Sequence, residues 1–166
     1  MGLISYIKNL YYDSRLKKAD KLLTEGLSSE AENIYVSILD KQPLAAVRLA
    51  SYYYTLSQSA NVESIVSLFA KVIEIESKGG QVYDAKAYNE VLNKFSNEII
   101  SKAKENFKAS SYVTCSLLLA AINKTRCKTI ETSNLCCESD INIVLQKINK
   151  TQFSNRDFIG LIDELK

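Results

Sequence analysis

Between Gly26 and Pro43 the apolar positions fall three or four residues apart: Ala31, Ile34, Tyr35, Ile38 and Leu39, with polar residues between them. That is the spacing of a single buried stripe on an α-helix, not the alternation of a strand. The same period returns along most of the chain. Leu16, Ala19, Leu22 and Leu23 share one side of residues 14–26. In 43–57 the stripe is Val47, Ala50, Tyr53 and Tyr54 or Leu56, and Pro43 suits a first helical turn, where its missing N–H is not needed. Residues 84–107 run without a breaker. They carry Tyr88, Val91 or Leu92, Phe95, Ile99, Ala103 and Phe107 as one stripe, which predicts a long helix with 109–123 as its partner. Gly79–Gly80 reads as a stop, and residues 124–137, with no clear period, read as a loop. Two helices follow. One covers 138–150, with Ile141, Val144, Leu145 and Ile148 on one face; the other covers 154–166, with Ser154 or Asn155 as its N-cap.

The first two hairpins repeat at a fixed distance. Shifted by 34 residues, Ala31 meets Ile65, Ile34 meets Leu68, Tyr35 meets Phe69, Ile38 meets Val72 and Leu39 meets Ile73. Gly26, Glu30–Ala31, Tyr35, Ile38–Leu39 and Pro43 resemble the second half of a tetratricopeptide repeat, a 34-residue helix–turn–helix. The second copy departs from that pattern, with Ile65 for the small residue and Ser77 for the proline. The third unit stands 49 residues further on, not 34. The resemblance implies an all-α fold: a right-handed α-solenoid of about three helical hairpins at 10–43, 44–77 and 84–123. The helices at 138–150 and 154–166 then cap its open end, in a single domain covering 1–166.

The first dozen residues place Leu3, Ile4, Ile7, Leu10 and Tyr11 on one helical face. The expectation is a short helix docked on the first repeat; a membrane-surface or partner-binding helix is the sharper reading, with Lys8 as its only basic residue. No apolar run approaches membrane-spanning length, and no signal-peptide pattern opens the chain, so a cytoplasmic protein without stable membrane insertion is expected.

Composition narrows the chemistry. There is no histidine, so the commonest general base and metal ligand at neutral pH are missing. Nucleotide-binding, nucleophile-elbow and zinc-protease motifs are absent from the sequence. Cys115, Cys127, Cys136 and Cys137 include no CxxC pair, so free thiols are expected before a zinc site or a disulfide framework. Glu30 with Glu32, Glu74 with Glu76 and Glu138 with Asp140 are two apart, which puts each pair on different faces of a helix. Basic residues cluster at Arg15, Lys17, Lys18 and Lys21 and at Lys102, Lys104 and Lys108. With a net charge of only +2, nucleic acid is not an expected partner.

An enzyme, a cofactor and a metal are therefore not expected. The resemblance implies a protein-interaction module: an adaptor, scaffold or chaperone that binds a peptide or protein segment in a groove lined by the first helix of each hairpin. Family groove positions map near Asp20, Thr24, Val47, Ser51, Tyr54 and Ser96. Asp20 stands where the family's carboxylate clamp wants an asparagine, so a clamp of that kind is not expected. The size and three-hairpin plan also resemble small bacterial secretion chaperones, with no motif to tie the chain to them. The alternative is a structural subunit whose helices pack into a homo-oligomer or larger complex, through the N-terminal helix or the Cys-rich stretch 127–137.

Overall fold

Gly26 shows how the chain turns back on itself. The first helix, α1 (Leu3–Thr24), ends just before it. Gly26 takes a φ of 80°, and the Leu27 N–H reaches the Leu22 carbonyl at 2.9 Å. This closes the last turn and lets α2 (Ser28–Ile38) start back along α1. Three side-chain bonds record the antiparallel register. Asp20 meets Tyr35 at 2.6 Å, Arg15 meets Ser37 at 3.0 Å and Asp13 meets Gln42 at 2.6 Å, so falling numbers on α1 face rising numbers beyond it.

The computed structural model describes residues 3–79, 85–125 and 127–150. Among them are five more helices: α3 (Pro43–Ser57), α4 (Val62–Gly79), α5 (Ala85–Lys108), α6 (Tyr112–Asn123) and α7 (Ile130–Lys150). No strand occurs among the described residues. No helix among them is long and apolar enough to cross a membrane. The helix expected at 154–166 lies outside the described residues. The chain divides into two compact units, Met1–Ser96 and Asn97–Lys166, with α5 running through the boundary.

In the first unit α1 packs on α2, α2 on α3 and α3 on α4. Its core takes most of the predicted stripes: Leu16, Ala19 and Leu22; Ala31, Tyr35, Ile38 and Leu39; Ala50 and Tyr53; Ile65, Phe69 and Val72; Tyr88, Leu92 and Phe95. In α3 Ala45, Ala46 and Leu49 are buried as well, while Val47 is half-buried and Leu56 exposed. Phe69 and Phe95 meet edge to face at 5.1 Å, and the Tyr88 hydroxyl donates to the Val72 carbonyl. Each large side chain so buried contributes about 1.5–3 kcal/mol of transfer free energy. The 34-residue period survives in three dimensions as burial. Helices α2 and α4 begin 34 residues apart; Ala31 and Ile65, Tyr35 and Phe69, and Ile38 and Val72 are all buried, and Ile34 and Leu68 are both half-buried, but Leu39 is buried where Ile73 is half-buried.

The N-terminal segment differs from expectation. It is no separate docked helix; it is the beginning of α1, and Ile7, Leu10 and Tyr11 point to solvent. The reason is length. Tyr6 to Tyr11 are exposed all round the helix, Lys8 on the Ala19 side included, and the side-chain bonds that tie α1 to α2 and the turn after it begin only at Asp13, so the first turns run past the partner helix.

The second unit corrects two further expectations. Residues 130–137 are not loop but the first two turns of α7. Thr129 caps them: its hydroxyl accepts the Thr132 N–H at 3.1 Å, and the Thr132 hydroxyl accepts the Thr129 N–H at 2.9 Å. The apolar face read on 138–150 is not the side that packs on α6. Ile141 and Leu145 are exposed and Val144 and Ile148 half-buried, while Ser139 and Thr132 are buried towards α6. A small, polar seam joins these two helices. Ser139 donates to the Cys115 thiol at 3.1 Å, Ser116 to Asp140 at 2.6 Å and Thr132 to Asn123 at 3.0 Å, again an antiparallel ladder. Small residues let the two backbones approach, and each hydroxyl finds a partner, so burial of these polar groups costs little.

Candidate interaction surface

The six residues mapped from the repeat pattern have different fates. Asp20 is half-buried on α1 and already engaged: the Tyr35 hydroxyl donates to it, and the Arg48 guanidinium of α3 stands 3.7 Å away. Thr24 is exposed, with its hydroxyl turned back onto the Lys21 carbonyl. Val47, Ser51 and Tyr54 on α3 are half-buried, so each keeps some surface for a ligand. The Tyr54 ring lies 5.5 Å from the Phe95 ring, which holds it on the α5 side of α3. Ser96 is the correction. It is 2% exposed, and its hydroxyl is spent on the Leu92 carbonyl at 2.8 Å, so it has nothing to offer a ligand.

Sequence reading missed the arrangement that binds these helices together. Two tyrosine–carboxylate–cation groups each tie three consecutive helices. In one, Tyr35 of α2 donates to Asp20 of α1, with Arg48 of α3 beside the carboxylate. In the other, Tyr53 of α3 donates to Glu32 of α2 at 2.5 Å, and Lys71 of α4 bonds the same carboxylate oxygen at 3.1 Å. The Lys71 ammonium also sits 5.0 Å from the centre of the Tyr53 ring. Burial, then the hydrogen bond to a negative oxygen, pushes both phenols well above their ordinary value of 10.0. Burial raises the Glu32 carboxyl as well, but the Tyr53 hydroxyl and the Lys71 ammonium outweigh it and hold the group below its ordinary 4.5. Phenols so raised stay protonated, and Glu32 so lowered stays ionised, at neutral pH. They work as clasps between helices, not as acids or bases with protons to trade. Only proximity in three dimensions makes these sets; their members are 13 to 28 residues apart within the first and 18 to 39 within the second.

In the second unit a cleft of about 560 Å³ opens between the last turns of α5 and the first turns of α7. Phe107, Ile130 and Leu135 supply its apolar wall, and the Lys104–Glu131 ion pair, 2.6 Å, closes one side. Reading 124–137 as loop hid it; the signal that marks it is Thr129-x-x-Thr132, with Glu131 in the first turn, a helix start in which threonine replaces the usual glutamate. The cysteines are free. Cys115 is buried and Cys136 half-buried, and burial pushes both thiols up, away from the reactive thiolate form. Among the described residues no group of three Cys, Asp or Glu side chains can hold a metal ion.

No protein-family model, no curated protein and no solved structure matches this chain.

Proposed function

We propose that the chain is a protein-interaction module whose first unit is built from tetratricopeptide-like hairpins and takes up a peptide or protein segment across α1 and α3. The observation that supports this reading is the burial of three residue pairs at a 34-residue offset, the pattern expected of α2 and α4 in matching places of successive hairpins. Stacking of that kind leaves the first helix of each hairpin to line a surface. Along it Thr24, Val47, Ser51 and Tyr54 retain exposure, and the Asp20–Arg48 pair sets a fixed charge between them. Binding, not catalysis, is the activity this suits, because the sequence contains no histidine and the perturbed carboxylate and phenols are committed to one another.

The test is affinity capture with mass spectrometry, run beside a Ser51→Glu, Tyr54→Ala variant. The expected outcome is loss of one or more partners with unchanged thermal unfolding. A variant that keeps every partner removes the α1–α3 surface as the binding site. A second reading, a structural subunit, draws support from the exposed Ile130, Ile141 and Leu145 on α7. Light scattering separates the two: a monomer is expected for the adaptor and a defined oligomer for the subunit.

A further inference from the structure

One side of helix α1 stays exposed along its whole length while its chemistry changes; in the first turns Lys8 and Asn9, off that side, are exposed as well. At 3.6 residues per turn, Tyr6, Ile7, Leu10 and Tyr11 lie on one face about 140° wide. Their exposures are 58%, 56%, 51% and 56%. Ser14 continues that face, and Lys17, Lys18 and Lys21, all exposed, complete it. The N-terminal half is apolar and aromatic, and the C-terminal half is cationic. Lys21 pairs with Glu25 at 3.5 Å, whereas Lys17 and Lys18 make no ion pair among the described residues. The helix's two aspartates lie towards its flank and are engaged there, Asp13 by Gln42 and Asp20 by Tyr35 and Arg48.

We propose that this face seats on an anionic lipid surface. Its occupant must offer apolar volume to the first three turns and negative charge to the lysines about 15 Å further along the rod. A convex helix side has no groove to receive a partner's side chains. At roughly 100 Å² of exposed surface each, its four apolar side chains present about 400 Å², half of what one partner contributes to a stable protein dimer. A bilayer interface makes no such demand for shape. It takes up tyrosine rings at the headgroup level, with the phenol in water and the ring among acyl chains. Its anionic headgroups meet Lys17 and Lys18 in the same plane. Binding is peripheral and reversible, since α1 lacks the apolar length to cross a bilayer.

Co-sedimentation of the full chain with vesicles of phosphatidylserine and phosphatidylcholine, and with phosphatidylcholine alone, tests this. The expected result is partition onto the anionic vesicles only, reversed by high salt. Lys17→Gln and Lys18→Gln should each lower it roughly fivefold, and Leu10→Glu should abolish it. All three positions are solvent-facing, so circular dichroism should show an unchanged fold. Tyr11→Trp adds an independent readout, because the chain has no other tryptophan: its emission should shift to the blue with anionic vesicles. The proposal is overturned if the wild-type chain stays in the supernatant, if neutral vesicles bind it equally, or if the Tyr11→Trp emission does not move. It is also overturned if light scattering shows a dimer that Leu10→Glu dissociates, since the face is then a protein interface.

Discussion

Among the described residues two hold the backbone in the left-handed region, and they do so at equivalent places. Gly26 ends α1 with a φ of 80°, and Ser110 ends α5 with a φ of 60°. Each is followed by an N–H that bonds five residues back, Leu27 to Leu22 at 2.9 Å and Ser111 to Asn106 at 2.8 Å. A Cβ built on Gly26 meets nothing within 4 Å, so the glycine serves conformation, not space. Gly26→Ala should therefore destabilise by about 1 kcal/mol, and Ser110→Gly should stabilise by up to about 1 kcal/mol, both read from urea unfolding at constant m-value. The glycine was legible in the sequence as a helix stop. The serine was not, because a non-glycine residue adopts this conformation only where the flanking helices impose it.

At the scale of elements, α3 was read from the sequence to the residue, 43–57, while α7 was read wrongly at its start and on its face. The difference is in what each helix packs against. Helix α3 buries ordinary apolar side chains, and periodicity reports those. Helix α7 meets α6 through Ser139 and Thr132, with Cys115 and Ser116 opposite, so hydropathy selects the opposite side, where Ile141 and Leu145 lie. Two measurements follow from this seam. Thr129→Ala removes the N-cap of α7 and should cost about 1 kcal/mol in urea unfolding. In hydrogen exchange, protection should fall first in residues 130–134 if the cap acts locally. The basic part of the exposed α1 face was hidden for a related reason. Taken as a short segment, the first dozen residues contain only Lys8, and the lysines at 17, 18 and 21 join that face only because α1 continues unbroken to Thr24.

Over the chain as a whole, the tyrosine–carboxylate groups make stability depend on pH at both ends. Glu32 has a folded pKa below its ordinary 4.5, so its contribution is present above that value and is lost as pH falls through the folded pKa. Tyr35 and Tyr53 have folded pKa values above 10.0, so their contribution is complete below pH 10.0 and is lost as pH rises beyond it. Thermal unfolding should therefore show a plateau between about pH 5 and pH 9. Tyr53→Phe should lower that plateau by about 1 kcal/mol and flatten its alkaline edge. An alkaline edge unchanged in the Tyr35→Phe, Tyr53→Phe double variant assigns the pH dependence elsewhere. The sequence alone determined that the described residues are helical, where five of their seven helices lie, and most of the residues that fill the core of the first unit, because a 3.6-residue period of apolar side chains is a local property. Only the tertiary structure decided that Ser96 is buried, that Tyr35 bonds Asp20 and Tyr53 bonds Glu32, and which way α7 faces. Those outcomes depend on groups far apart in the chain coming within 3 Å, and a periodic pattern along one segment carries no record of its neighbour.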